Sequence, residues 1–107
     1  MARRARYTLQ YANEVYEHLD FIEKKYHRAI ASAIQQQLTH TPETPTQNRK
    51  PLETPTAFGA TWELRCGPQN AFRVFYEVEA ADRTVTILAV GRKERNRLYI
   101  GGEEFAL

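Results

Sequence analysis

WELRCGPQNAFRVFYEVEAADRTVTILAVGRKERNRLY, Trp62 to Tyr99, is the stretch that decides the fold. Three pieces of it, around WELRC, AFRVFYEVE and RTVTILAVG, are rich in β-branched and aromatic residues and are bounded by Gly, Pro, Asn or Asp, the signature of consecutive strands. In the first, Trp62 and Leu64 alternate with Glu63 and Arg65. In the second, Phe72, Val74, Tyr76 and Val78 alternate with Arg73, Phe75, Glu77 and Glu79. Side chains along a strand point to opposite faces in turn, so one face is apolar and the other carries Glu63, Arg65, Arg73, Phe75 and Glu77 together. The third piece is apolar on both faces, with Val85, Ile87 and Ala89 on one and Leu88 and Val90 on the other. That pattern predicts a central strand covered on two sides. Gly67 and Pro68 start the first turn, and Ala81, Asp82 and Arg83 make the second.

Upstream, Tyr7 to Tyr11 alternates like a half-buried strand, and Asn13 follows as a helix N-cap with Glu14 and Glu17 in the first turn. Val15, Leu19, Ile22 and Tyr26 give this helix one apolar face, and Ile30, Ile34 and Leu38 continue it. A single helix from Asn13 to Thr39 would be about 40 Å long, so two helices broken near Tyr26 and His27 are expected. Thr41 to Pro55 holds four of the five prolines, which predicts a long irregular connection over 41–57. Arg49 and Lys50 belong to its surface or hang over a binding face. The basic segment from residue 92 onward is either a short helix or an extended tail, with a weakly anchored end at EEFAL.

The chain has 107 residues, enough for one domain with a single modest core. Its 42% hydrophobic and 26% charged content are those of a globular protein. No apolar run approaches the ~20 residues of a spanning helix. Arg3, Arg4 and Arg6 are followed by acids rather than by an apolar segment, so no leader is expected and the protein is placed in the cytoplasm. Cys66 is the only cysteine, which excludes an internal disulfide and four-cysteine metal sites and leaves a small packed strand residue. His18, His27 and His40 are scattered, so neither a metal site nor a two-histidine nuclease is expected, and no cofactor is called for. What remains is a set of arginines and lysines interleaved with aromatics, the composition that meets phosphates and stacks on bases. Four of the six residues from Arg92 to Arg97 are basic; as a solvated tail they would have no such role.

VGRKERNRLY at Val90 to Tyr99, Leu64-Arg65 with AFRVFY at Ala71 to Tyr76, and KPL at Lys50 to Leu52 together resemble the RelE/ParE toxins of bacterial type II toxin–antitoxin systems. The resemblance implies an α+β domain over residues 1–107, with an N-terminal strand and a helical hairpin packed on a small, mainly antiparallel four-stranded sheet. In the RelE-like branch it implies a ribosome-dependent mRNA endonuclease that inhibits translation. Arg73 would then stabilise the phosphorane, Lys93 would support the scissile phosphate, and Tyr99 would stack on or polarise the nucleotide. Arg65, Arg92, Arg95, Arg97 and Lys50 would hold RNA. Where RelE-type toxins have two lysines ahead of the Leu-Arg pair, this chain has Thr61 and Glu63, so Glu63 would have to serve as general base. The alternatives are a ParE-like inhibitor of DNA gyrase and an inactive member acting only through its antitoxin. The implied partners are a cognate antitoxin, the ribosome with its mRNA, and operator DNA reached through the antitoxin.

Overall fold

The computed structural model describes residues 6–106; Arg3 and Arg4, on which the expectation about a leader partly rests, lie outside the described residues. The chain opens with β1 (Thr8–Tyr11) and α1 (Glu14–Asp20), passes through a 3-10 turn at Lys24–Tyr26, and continues as α2 (His27–Leu38). Six strands joined in antiparallel pairs follow: β2 (Arg49–Pro51), β3 (Trp62–Cys66), β4 (Phe72–Glu79), β5 (Thr84–Glu94), β6 (Arg97–Ile100) and β7 (Glu103–Phe105). The sheet runs β2-β3-β4-β5-β6-β7, and β1 joins it parallel to β5. The fold is α+β with a mainly antiparallel sheet, as expected, but that sheet has seven strands among the described residues rather than four.

The additional strands come from segments read as irregular. Arg49–Pro51 pairs with β3 despite its proline. Pro51 sits on the edge strand, and Leu52, next along, donates its N–H to Thr61 across the ladder. The proline nitrogen therefore faces outward, where no donor is needed. The basic segment is neither helix nor tail: β5 runs on to Glu94 and turns back as β6. Gly101 and Gly102, at φ of 61° and 81°, then form the two-residue turn into β7, for which positive φ at both positions suits glycine. Glu103–Phe105, expected to be weakly anchored, is accordingly held as β7.

The helix break is local in origin. The His27 ring lies 2.9 Å from the Leu19 carbonyl and 2.8 Å from that of Ile22, so Nε2–H donates to the frayed end of α1. Asn13 precedes α1 without a side-chain capping bond.

One face of the sheet packs on the helices. Val15, Ile30, Ile34 and Leu38 meet Leu64, Val74, Tyr76, Val85, Ile87 and Val90 in the main core. The other face holds a smaller cluster of Ala60, Phe75, Ala89, Leu98 and Ile100. Strict alternation in β5 fails at Leu88. Phe75 pairs with Ala89 while Tyr76 pairs with Ile87, so Leu88 is an extra residue and a β-bulge. Val85, Ile87 and Val90 therefore face the helices, and Leu88 and Ala89 lie against the second cluster. Ala89 does not share a face with Val85 and Ile87.

Candidate functional site

The face turned away from the helices carries a pocket of about 510 Å³. Alternation brings Glu63 and Arg65 from β3 and Arg73 and Phe75 from β4 to its floor, where Glu63 lies opposite Phe75 and Arg65 opposite Arg73. Lys50 enters from β2, opposite Glu63. Lys93 arrives through the bulge: beyond Leu88 the parity of β5 is reversed, which puts Gly91 opposite Arg73 and lets Lys93 line the pocket. If the same sequence ran as a regular strand with no bulge, Lys93 would share the helix-facing side of Val85 and Ile87.

Four cations thus surround one carboxylate. Glu63 lies 3.5 Å from Arg65 Nε, 3.9 Å from Arg73 Nε and 3.9 Å from Lys50 Nζ. Like charges directly opposite on paired strands repel, and Glu63 between Arg65 and Arg73 offsets that repulsion. Glu63 and Arg73 are only 8% and 7% exposed. Burial lowers the pKa of Arg73, Glu63 pulls it back up, and Arg65 lowers it again. Its guanidinium is held in place by donation from Nη1 to the carbonyls of Asn70 and Phe72. Glu63 Oε2 is buried and accepts no hydrogen bond among the described residues, so an oxygen with unused acceptor capacity faces Lys50 and Arg65, while Arg73 lies against Oε1. Lys93 makes no ion pair among the described residues.

The rest of the pocket is apolar. Leu98 and Ile100 of β6, Leu52, and the rings of Phe58, Phe75 and Phe105 close it. Phe58 and Phe105 were not among the residues expected at a site. The available signal was that Phe58 is the one aromatic between Thr41 and Thr61; nothing local marks Phe105.

The family model described as ParE toxin of type II toxin-antitoxin system, parDE, matches residues 5–97. The chain belongs to this family. No curated protein matches it. Its partner, as for type II toxins, is an antitoxin.

In this toxin the remaining expected site residues are not brought to the pocket. Tyr99 pairs with Arg92 on the opposite face of the β5–β6 hairpin, where the Arg92 guanidinium lies 5.0 Å from the ring centre. Tyr99 lines a small cleft there with His18 and Phe21. Arg92 is ion-paired with Glu94, and Arg97 with Glu104 at 3.6 Å, so acids offset part of the basic run. Arg95 occupies the hairpin tip at a φ of 58°. Arg49, one residue from Lys50, points to the other side of β2. Its Nη1 donates to the carbonyls of Gln37 and Thr41 and, at 3.2 Å, to the Thr41 hydroxyl, tying β2 to the end of α2. It is a structural tie and does not hang over the pocket.

Cys66 packs in the main core, and burial pushes its thiol up to about 11, so it is unreactive at neutral pH. His18 Nδ1 accepts the Val90 N–H at 3.3 Å in the gap between β1 and β6 along the edge of β5. Neither His18 nor His27 lines the pocket. Among the described residues no three His, Cys, Asp or Glu side chains gather as a metal site, and no helix is long and apolar enough to cross a membrane.

Proposed function

We propose that this toxin inhibits translation by cleaving mRNA on the ribosome, with the charged end of the pocket as the reacting centre. The observation that carries this reading is the buried Glu63 held among Lys50, Arg65 and Arg73, with Lys93 on the same wall. Cleavage by a ribose 2′-hydroxyl on the adjacent phosphate needs a proton acceptor and cations around the phosphorane. Glu63 takes the hydroxyl proton as the O–P bond forms. Arg73 and Arg65 bind the equatorial oxygens, and Lys93 neutralises the leaving 5′-oxygen as the second O–P bond breaks. The ribosome supplies the alignment of the strand. Arg92, Arg95, Arg97 and Tyr99 then act away from the scissile phosphate, along the hairpin that meets the ribosome or the flanking RNA.

Incubation of purified toxin with programmed ribosomes and a defined mRNA, followed by primer extension, tests this reading. Cuts at the A-site codon that require ribosomes are expected; intact mRNA in the presence of toxin that arrests growth refutes it. Inhibition of DNA gyrase is the second reading, favoured by the ParE description of the matching family and by the separation of Tyr99 from the charged pocket. A supercoiling assay with the same protein discriminates, because a toxin acting on gyrase inhibits it without ribosomes. Binding of operator DNA is assigned to the antitoxin.

A further inference from the structure

The pocket joins two chemistries within a few residues. Arg73 and Phe75 stand two positions apart on one face of β4, about 7 Å along the strand, and Glu63 lies directly opposite Phe75. Beyond Glu63 the wall is aromatic: Phe58 meets Phe75 edge-on at 5.8 Å and Phe105 at 6.3 Å, with ring planes at 79° and 84°. Phe58 and Phe105 remain half-buried, so part of each ring faces open space. They come from the loop after β2 and from β7, and they pack against the cluster of Ala60, Phe75, Ala89, Leu98 and Ile100 while leaving ring surface toward the cavity.

We infer that this apolar end is a nucleobase subsite, which takes the base of the nucleotide whose 2′-hydroxyl attacks. The inference rests on the RNA-cleaving reading and goes beyond it by assigning a position and a chemical class. A ribose with its hydroxyl at Glu63 has its 3′-phosphate toward Arg73 and its base toward Phe75 and Phe58. Four cations against one carboxylate favour a phosphate-bearing ligand over a neutral one. The cavity of about 510 Å³ lies in the range of small-ligand pockets.

Discrimination among bases follows from the lining. Thr54 and Thr56 carry the only side-chain hydroxyls at this end, and the Thr56 hydroxyl already accepts the Ala60 N–H at 2.9 Å. With so few groups to read base edges, selection comes from stacking area, which gives modest preferences. A purine is therefore preferred to a pyrimidine by a few fold.

Calorimetric titration of purified toxin with adenosine 3′-monophosphate, cytidine 3′-monophosphate and inorganic phosphate tests this. Adenosine 3′-monophosphate is expected to bind at least tenfold more tightly than phosphate and a few fold more tightly than the cytidine nucleotide. Phe58→Ala and Phe105→Ala should remove most of that advantage and leave phosphate affinity unchanged. Phe58→Leu, which keeps apolar volume without a ring, should act likewise if the alanine variant fails to fold. Equal affinity of the wild type for nucleotide and phosphate overturns the inference. So does an unchanged nucleotide-to-phosphate ratio in folded variants, including the case in which those variants lose only antitoxin affinity, which assigns the rings to the antitoxin. The ribosome assay separates the two levels. Nucleotide selectivity without mRNA cleavage refutes the cleavage reading and retains the base subsite; cleavage without nucleotide selectivity does the reverse.

Discussion

The two faces of the sheet are built from the same strands and do different work. Toward the helices, Leu64, Val74, Tyr76 and Ile87 are fully buried in a continuous apolar layer. Toward the pocket, their chain neighbours Glu63, Arg65, Arg73 and Phe75 bring together charge, desolvation and aromatic surface. Alternation allows neighbouring residues to serve stability and chemistry separately, and the Leu88 bulge adjusts that division where β5 crosses from core to pocket. On the helix side even the polar groups are structural: Tyr76 donates its hydroxyl to the Pro42 carbonyl at 2.8 Å, and Arg49 ties β2 to α2.

Inserting an alanine between Ala89 and Val90 breaks the division most severely. Ala89 keeps its place opposite Phe75 and every residue beyond the insertion moves one position along β5, so Val90 leaves the main core and Lys93 leaves the pocket. Loss of growth inhibition together with a large fall in unfolding midpoint is expected, whereas deleting Leu88, the extra residue itself, should leave both registers in place; a folded, fully toxic insertion variant refutes the division. Adjacent substitutions on β3 separate the faces. Glu63→Gln should slow mRNA cleavage about 10²–10⁴-fold, the range for loss of a general base, with a smaller effect on unfolding. Leu64→Ala should cost about 2–5 kcal/mol in urea unfolding while the toxin that remains folded keeps its activity. If the two effects exchange places, the assignment of faces is wrong.

A finer comparison sets Lys93 against Arg97, on opposite faces of the β5–β6 hairpin. Removing a phosphate contact reduces the salt dependence of single-strand binding by about 0.7 in slope. Lys93→Ala should show that change at the pocket with an oligonucleotide, whereas Arg97→Ala, whose cation is paired with Glu104, should show little. Equal slopes would erase the distinction between the faces of the hairpin.

The smallest effect concerns His18. Burial lowers its pKa from the usual 6.5, with Glu14 and Glu17 opposing, and the neutral ring accepts the Val90 N–H. The unfolded chain then binds the proton more readily than the folded one. The His18 contribution is complete above pH 6.5 and declines as the pH falls through 6.5 toward the lower folded value. Thermal unfolding from pH 7.5 to 5.5 should show this slope, and His18→Gln, which retains an acceptor, should flatten it. An identical slope in the variant removes His18 from the pH response.

The helix break shows how far local pattern reaches. Length suggested two helices, yet the molecule extends 44 Å along its longest axis, so a helix of about 40 Å would not by itself exceed it. Across the break His27 bonds to the carbonyls of Leu19 and Ile22, contacts that periodicity does not encode. Likewise, the prolines of 41–57 suggest an irregular connection and conceal β2 (Arg49–Pro51), because an edge strand tolerates a proline whose nitrogen faces outward.

By itself the sequence determined β1, the two helices and the strands β3 to β5, the α+β class and the grouping of Glu63, Arg65, Arg73 and Phe75 on one face. These follow from periods of two and about 3.6 residues, which every short window of chain carries. The tertiary structure decided that Lys93 joins that face and Tyr99 does not, that Lys50 rather than Arg49 meets Glu63, and that Phe58 and Phe105 close the pocket. Each of those outcomes depends on register or packing between segments far apart in the chain. A single extra residue in β5 reverses a face, and only the strand paired against it fixes where that residue is accommodated.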